Sequence, residues 1–394
     1  AELAAIGFVF PVVLTLTHIG TGMDVGTMAS VSPLIGRGAN TEARKLVVDT
    51  LVLAILFSIF LTFVGLATMK PLFETLGVTA DLLPMVEDYM VIWYWGLIVN
   101  FVPIVLAGTL RASGNAKDPG MWLTACALLN IALDPLFIFG LGPIEGMGIR
   151  GAAIATVIAR TLYMLALFVI VARKAQLLDL SNYRVAGLLS SWKLNLSVTI
   201  PATVNNVIVP LTAVITTRIL AHHGEDVIAG MGAATRVEAI STVFSLCVGI
   251  SLAPFIGQNL GAGNMARIRE GLRFSYRYAT GVGLVFFVLL VGGRNIIASW
   301  FSEDPAITSV LSMYLLISGF SYIFQGLNIM ATMALNALGR ASLATLLTAL
   351  RVLVFYAPLA YLLDGTSLGI PGVFGALTVA HALFAMIATT VAAQ

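Results

Sequence analysis

The sequence predicts an all-α integral membrane protein with about eleven transmembrane helices. Of its 394 residues, 59% are hydrophobic and only 10% are charged, whereas a water-soluble domain carries about 25% charged residues. A chain of this composition has too little polar surface to dissolve in water. About 20 apolar residues in a helix cross the hydrocarbon core of a bilayer, and eleven runs of that kind follow one another here.

The loops between these runs alternate between basic and acidic composition. Because Lys and Arg are enriched in cytoplasmic loops, the alternation supports the number of spans and places Gln394 in the cytoplasm and Ala1 outside. We expect a multi-pass protein of the cell (inner) membrane. The predicted spans lie near residues 3–35, 46–69, 88–110, 119–141, 148–172, 194–219, 227–257, 275–300, 307–337, 341–363 and 370–392.

Charge and residue usage exclude several classes of partner. The net charge of +2 and the absence of a basic, aromatic-rich patch argue against nucleic acid. Cys126 and Cys247 lie in apolar runs without ligand spacing and are interpreted as packing residues. The four histidines form no metal-binding motif, so neither a metal site nor a cofactor is predicted. His222 and His223 are assigned to an outer loop as solvated residues, with pH sensing as the alternative.

Three short motifs recur in the same order in the two halves of the chain, which indicates a duplication. A duplication of this kind predicts two parallel six-helix repeats, one of the repeat geometries of secondary transporters. The span near 194–219 has no counterpart in the first repeat, so we expect that repeat to lack its first helix here. The matching motifs are Ser30 to Gly38 with Ser251 to Asn259, Leu110 to Gly114 with Leu335 to Gly339, and Gly148 to Ala153 with Gly369 to Phe374.

The predicted domain organisation follows from this duplication. An N-terminal lobe of five helices covers residues 1–175, and a basic cytoplasmic linker covers 176–193. A C-terminal lobe of six helices covers 194–394.

The principal candidate site is the stretch from Asn130 to Gly140, which reads NIALDPLFIFG. An ionised Asp inside a lipid-spanning helix costs at least a few kcal/mol, so Asp134 is rarely explained by packing alone. Pro135 removes a backbone donor and frees a carbonyl beside it. Asn130 precedes Asp134 by one helical turn and shares its face. The three residues together predict a proton-binding or ion-binding site; the structural alternative is a protonated carboxyl that caps the freed carbonyl.

Asp24 is a second intramembrane acid, flanked by glycines at 20, 22 and 26 that allow close backbone approach. We include it among the ion-coupling candidates, with an acid satisfied by a neighbouring helix as the alternative. Arg160 would either pair with one of the two acids or extend toward the cytoplasmic side.

Four further charged residues are given structural interpretations. Asp49 and Arg351 are placed near span ends and interpreted as interfacial. Glu238 is placed near the outer end of its run, where it would form a local pair with Arg236.

With these motifs in view, the chain resembles the multidrug and toxic compound extrusion (MATE) family over almost its whole length. The resemblance implies a V-shaped, two-lobe monomeric transporter that works by alternating access and exports organic cations and other amphiphiles in exchange for H⁺ or Na⁺. The motifs are Leu3 to Gly7, Gly20 to Thr27, Ser32 to Gly38, Leu110 to Pro119, Asn130 to Gly140, Gly148 to Thr156, Ile200 to Asn206, Gly232 to Ala239 and Ala253 to Asn264.

The resemblance also implies roles for particular residues. Asn130 and Asp134 match an Asn-x-x-x-Asp pair that one branch of the family carries on its fifth helix, and Thr156 matches a threonine on the sixth. That branch has a partner aspartate on the first helix, which this sequence does not contain. Another branch uses acids on the first and fourth helices of the second lobe. This chain has only amides there, so the sequence argues against coupling in that lobe.

These amides, together with one methionine, are the candidates for the substrate cavity. Flexible Met side chains suit a promiscuous site, and amides also serve as hydrogen bonds between membrane helices. Helix contacts and ordinary core packing are therefore the alternatives. The candidates are Asn205, Asn206, Gln325, Asn328 and Met330.

The resulting hypothesis is a secondary antiporter that exports amphiphilic, often cationic compounds. A lipid-linked precursor flippase of the same superfamily is the nearest alternative, but it needs several cavity-facing cations, and only Arg160 and Arg351 lie away from loop ends. A membrane-embedded transferase needs clustered acids such as DDxxD, and the acidic pairs here lie unaccompanied in outer loops. A channel would show a filter-like segment. We therefore predict no enzymatic activity and no nucleic-acid partner.

Overall fold

The computed structural model describes residues 2–141, 144–179 and 185–393 and confirms an all-α membrane fold. A short antiparallel pair, β1 (Gly140–Leu141) and β2 (Ile144–Glu145), follows α5. The helices are α1 (Glu2–Gly36), α2 (Asn40–Thr75), α3 (Leu83–Trp95), α4 (Leu97–Ala112), α5 (Lys117–Phe139), α6 (Ile149–Val169), α7 (Leu188–Leu220), α8 (Glu225–Gly261), α9 (Met265–Gly292), α10 (Arg294–Phe301), α11 (Pro305–Ser318), α12 (Ser321–Ala337), α13 (Ala341–Ala349), α14 (Ala357–Asp364) and α15 (Gly369–Ala393).

Three short segments continue or link these helices with a different winding. A π-helical turn, Ile170–Lys174, extends α6, and a π-helical segment, Leu350–Tyr356, joins α13 to α14. A 3₁₀ turn, Ala221–His223, follows α7. π-Helical insertions are rare and occur frequently at functional sites, so the segment between α13 and α14 is a region of interest.

Within the described residues, nine helices are long and apolar enough to cross a membrane, or eleven if each of two bent pairs counts as one span. α3 and α4 meet at an angle of 44°, and α11 and α12 at 59°. Gly96 lies at the first break and Gly319 at the second, and glycine weakens a helix locally. The predicted spans 88–110 and 307–337 are therefore bent rather than continuous.

The predicted span 275–300 is also divided in the structure. α9 ends at Gly292 and the short α10 begins at Arg294. The consecutive glycines Gly292 and Gly293 explain the break, because each costs about 1 kcal/mol relative to Ala inside a helix.

The recurring motifs adopt matching backbone conformations in the two halves. Gly114 and Gly339, which end the second pair of motifs, have φ of 88° and 73°. Gly148 and Gly369, which begin the third pair, have φ of 54° and 47°. These values lie in the left-handed region that favours glycine, so the repeat seen in the sequence is also a repeat of local structure.

The chain forms two compact units, Ala1–Thr203 and Val204–Gln394, and the boundary falls inside α7. Each unit has its own apolar core; Phe101 and Leu106 are central in the first and Leu311 and Phe374 in the second. The part of the predicted linker at 180–184 lies outside the described residues.

The packing of α5 against α6 positions the candidate site of the first unit. The carbonyl of Phe137 accepts from the Met147 amide at 2.8 Å, and that of Ile138 accepts from the Gly148 amide at 3.1 Å. One turn into α6, Gly151 lies directly against the Phe137 carbonyl. Two of the last carbonyls of α5 are thus satisfied by the chain that leads into α6.

We expect Gly151→Ala to lower the stability of the first unit. A Cβ at this position would overlap the backbone carbonyl of Phe137, and overpacking of this kind typically costs about 1–3 kcal/mol. Thermal unfolding of the detergent-solubilised protein measures the effect. Gly120→Ala in α5 is the matched control, because its Cβ would meet nothing within 4 Å. Equal melting temperatures for the two variants would contradict this account of the α5–α6 contact.

Candidate functional site

Asn130 and Asp134 lie together on α5, as their spacing predicts. The Asn130 side-chain amide donates to Asp134 Oδ1 at 3.2 Å, and both side chains are half-buried. Pro135 follows inside the helix and cannot donate to the carbonyl of Ile131, four residues earlier. Tyr89 of α3 is near enough to interact electrostatically with the carboxyl. The site thus combines an acid, an amide and a backbone acceptor within one helical turn.

Thr156 lies half-buried on α6, the helix that packs against α5. Its hydroxyl donates to the carbonyl of Ala152 at 3.0 Å, within its own helix. The hydroxyl oxygen keeps its lone pairs as acceptors. The Thr156 hydroxyl proton is therefore taken up by a bond within α6, and its oxygen remains able to coordinate an ion.

Asp24 has a cationic partner in the first unit. Its carboxylate forms an ion pair with Arg111 of α4, and the two side chains are 17% and 18% exposed. Gly108, one turn before Arg111, leaves room for the carboxylate, since a Cβ there would crowd Asp24 Oδ1. This pairing favours the alternative in which Asp24 is satisfied by a neighbouring helix, and the partner is Arg111 rather than Arg160.

Asp49 lies near the start of α2, as the interpretation of a residue near a span end expects, and its side chain is buried in the protein. Its side chain is 0% exposed and accepts from Lys45 Nζ at 2.7 Å, and the Trp192 indole donates to its backbone carbonyl at 2.7 Å. An acid one turn after a lysine on α2 can bury its carboxylate because the lysine neutralises it.

Glu238 is the largest difference between the sequence-based analysis and the structure. It lies 13 residues into α8, about 20 Å along the helix axis, and not near its outer end. Gln325 Nε2 of α12 donates to Glu238 Oε1 at 2.7 Å, and the Tyr314 hydroxyl of α11 donates to Oε2 at 3.1 Å. The proposed local pair with Arg236 was wrong, because residues two apart face different sides of a helix.

Arg351 is likewise not at a span end. It lies on the π-helical segment Leu350–Tyr356, in the middle of the candidate span Ala341–Asp364. Its guanidinium Nη1 donates to His381 Nδ1 at 2.8 Å, and Asn328 Nδ2 donates to the His381 carbonyl at 3.1 Å. Arg351 also interacts electrostatically with Glu238. The second unit thus holds a half-buried acid and a half-buried base inside its helices, without a direct ion pair between them among the described residues.

The residues predicted for the substrate cavity fall into two groups. Gln325 and Asn328 hold Glu238 and His381, so they belong to this polar network. Met330 is 0% exposed within an apolar core of the second unit, which favours the packing alternative. Asn205 is 9% exposed, and its side-chain oxygen accepts no hydrogen bond from the described residues; Asn206 is half-buried.

The functional interest of three second-unit residues is only partly visible in the sequence. Glu238, Arg351 and His381 are ionisable residues inside apolar runs, the feature that marked Asp134. Hydropathy alone, however, does not distinguish the middle of a long second-half run from its end. Their partners lie 30 to 87 residues away in the chain, so no local spacing connects them.

Comparison with known proteins gives the context of this arrangement. A family model described as MatE matches residues 1–136 and 201–362. The FAD transporter of Shewanella oneidensis is 32% identical over 382 residues, covering 97% of this chain and 84% of that protein. The multidrug export protein MepA of Staphylococcus aureus is 23% identical over 98% of this chain and 84% of its own length.

Solved structures agree with these sequence relatives. The MATE transporter VcmN of Vibrio cholerae in the bent form is similar with a TM-score of 0.93 and 26% identity, over 99% of this chain and 88% of that one. The relatives are transporters, and the fold is that of an all-α membrane transporter. The chain therefore belongs to the MATE family of multi-pass membrane transporters.

Proposed function

We propose that this chain is a secondary antiporter that exports amphiphilic, often cationic compounds in exchange for H⁺ or Na⁺. The observation that carries the proposal is the hydrogen-bonded pair of Asn130 and Asp134 beside Pro135, in the lipid-spanning helix α5. Relatives described as multidrug export and multidrug resistance proteins support the substrate class.

In this proposal Asp134 alternates between an ion-bound or protonated state and a free carboxylate. Asn130 supports the carboxylate by donating to it, and the hydroxyl oxygen of Thr156 and the carbonyl of Ile131 are further possible ligands for a cation. Oxygen ligands of this kind suit Na⁺, and a single carboxyl suffices for H⁺. A bound ion shifts a conformational equilibrium only if its affinity differs between the two conformations. A carboxylate whose access to water differs between the conformations provides such a difference in affinity.

A second candidate substrate is a flavin dinucleotide. The FAD transporter of Shewanella oneidensis is 32% identical to this chain, against 23% for MepA. A dinucleotide carries an anionic pyrophosphate and an apolar isoalloxazine ring, so it is amphiphilic but not cationic. Arg351 is a half-buried cation in the middle of a candidate span of the second unit, so the proposal assigns it the role of meeting the pyrophosphate.

Transport by the purified full-length protein in proteoliposomes tests the proposal. A fluorescent lipophilic cation and FAD are offered separately under an imposed H⁺ gradient, then under a Na⁺ gradient. Gradient-dependent movement of the cation supports the first substrate class, and movement of FAD alone supports the second. If neither compound moves under either gradient, while a lipid-linked precursor is translocated, the antiporter proposal is wrong and the flippase alternative stands.

Asn130→Ala is expected to weaken ion binding without removing it. The substitution removes one hydrogen bond to a charged group, which typically contributes about 1.5–3 kcal/mol. Half-maximal transport should therefore need an ion concentration about tenfold higher or more, because 1.4 kcal/mol corresponds to a factor of ten.

Asn115→Ala provides the matched control for this substitution. Asn115 Nδ2 donates to Asp118 Oδ2 at 2.7 Å at the start of α5, so the variant removes a similar Asn–Asp bond away from the site. An equal shift in ion dependence for both variants would mean that Asn130 acts only on helix stability.

A further inference from the structure

Three potential metal ligands converge in the second unit, away from Asp134 and the Glu238 network. His222 and His223 lie on the 3₁₀ turn after α7, and Asp364 is the last residue of α14. His223 Nε2 lies 2.7 Å from Asp364 Oδ1, and His222 Nε2 lies 3.4 Å from Oδ2. All three ligand atoms lie within 4.8 Å of one another.

We propose that His222, His223 and Asp364 bind a divalent transition-metal ion of the Zn²⁺ type. Zn²⁺ binds imidazole nitrogen at about 2.0–2.1 Å and carboxylate oxygen at about 2.0–2.2 Å in tetrahedral geometry. Ligand atoms around such an ion are then about 3.3–3.5 Å apart; here the two imidazole–carboxylate separations are 2.7 and 3.4 Å, and all three atoms lie within 4.8 Å. Small side-chain rotations would bring the three atoms onto one ion, and solvent would fill the fourth position.

The alternative is a pair of histidines that only hydrogen-bond to Asp364. The two imidazole rings lie 4.1 Å apart between centroids, tilted by 35°. Each imidazole lies beside a different oxygen of the same carboxylate, His223 at Oδ1 and His222 at Oδ2. One divalent ion between the three atoms would use both rings and the carboxylate at once. Two imidazoles and one carboxylate favour Zn²⁺, Cu²⁺ or Ni²⁺ over the hard cations Mg²⁺ and Ca²⁺.

The surroundings suit a cation that arrives from solvent. The side chain of Asp364 is only 11% exposed, whereas that of His222 is 62% exposed, so the cluster has a fixed inner ligand and an open outer one. Glu225 and Asp226 follow the histidines and are exposed, which adds negative potential. The loop charges predict that this end of the helices faces the outside of the cell.

Binding would tie the end of α7 to the end of α14, the parts of the chain that Gly224 and Gly365 terminate. An ion that binds the folded protein and not the unfolded chain stabilises the fold by mass action. Occupancy would also oppose any motion that separates these two helix ends.

Zn²⁺ titration of the purified full-length protein, with any polyhistidine tag removed, tests the site. Calorimetry should show one Zn²⁺ per chain, and thermal unfolding should shift upward with Zn²⁺ but not with Mg²⁺. His222→Gln should weaken Zn²⁺ binding at least about tenfold, since even outer partners of metal ligands contribute about 10–100-fold. Co²⁺ in place of Zn²⁺ should give the visible absorption of a tetrahedral site.

Two further variants make the test specific. Asp364→Asn should abolish binding, but Asp364 is 11% exposed, so its replacement also disturbs packing. His222 is 62% exposed, so we expect His222→Gln to retain the fold and to give the decisive comparison. Glu303→Gln, which removes an exposed acid from the loop between α10 and α11, outside the cluster, should bind Zn²⁺ as the unaltered protein does. The proposal is overturned if the unaltered protein binds no Zn²⁺, or if His222→Gln binds it equally well.

Discussion

Asp134→Asn is expected to reduce ion-coupled efflux to the level of vesicles without protein. Asparagine has the size and shape of aspartate and can still form hydrogen bonds. Its amide can neither bind a proton nor offer a negative charge to Na⁺. Because the ion-free and ion-bound states of the site become equivalent, an ion gradient no longer shifts the conformational equilibrium. Efflux of a fluorescent substrate from vesicles, under H⁺ and Na⁺ gradients, measures the loss.

The comparison needs evidence that the variant is inserted and folded. Its thermal unfolding should match that of the unaltered protein within a few degrees, and Asp226→Asn, which removes a carboxylate from an exposed position, should transport normally. Unchanged efflux in Asp134→Asn would make this residue a cap for the carbonyl freed by Pro135. The search for the coupling residue would then move to Asp24 and its Arg111 partner.

Arg351→Met is expected to destabilise the second unit, and Glu238→Gln is expected to compensate for part of the loss. The arginine is the cation that interacts with Glu238, so its removal leaves a carboxylate inside the helix bundle without a compensating charge. Truncating one member of a buried charge pair is strongly destabilising, whereas replacing both members by neutral groups is often tolerated.

A double-mutant cycle on thermal stability measures this coupling. Interacting residues typically couple by about 0.5–3 kcal/mol, so the double variant should be more stable than the sum of the single effects indicates. Strict additivity would show that Glu238 and Arg351 act independently. Tyr361→Phe, an exposed residue of α14, serves as a control for substitution in this span.

Local features were predictable from the sequence. Asn130 and Asp134 meet because residues four apart lie on one face of a helix. Each of the eleven apolar runs corresponds to helical structure, although some are bent or divided between two helices. The recurring motifs predicted a duplication, and their glycines have matching positive φ values in the two halves, a conformation that glycine adopts more readily than other residues.

Features that depend on packing between distant segments were not predictable. Glu238 meets Gln325 and Tyr314 only after α8, α11 and α12 have assembled, and hydropathy carries no information on that register. The assignment of Glu238 and Arg351 to span ends was wrong for this reason. The same holds for His222 and His223. Their partner Asp364 lies 141 residues after His223 in the chain.

The bends within spans fall between these two cases. Gly96 and Gly319 were visible as glycines in apolar runs, yet isolated glycines are common in membrane helices, where small residues allow close packing. At Gly96 a Cβ would overlap the Val157 side chain of α6. The break at Gly96 therefore depends on the close approach of α6 as well as on the glycine itself.

Ion counterflow in proteoliposomes tests the central proposal most directly. An outward substrate gradient is imposed without any ion gradient, and the internal pH or the uptake of labelled Na⁺ is followed. The account predicts that substrate movement drives H⁺ or Na⁺ in the opposite direction in the unaltered protein, and that Asp134→Asn shows no counterflow. Substrate movement without counterflow of either ion would contradict ion-coupled exchange at Asp134.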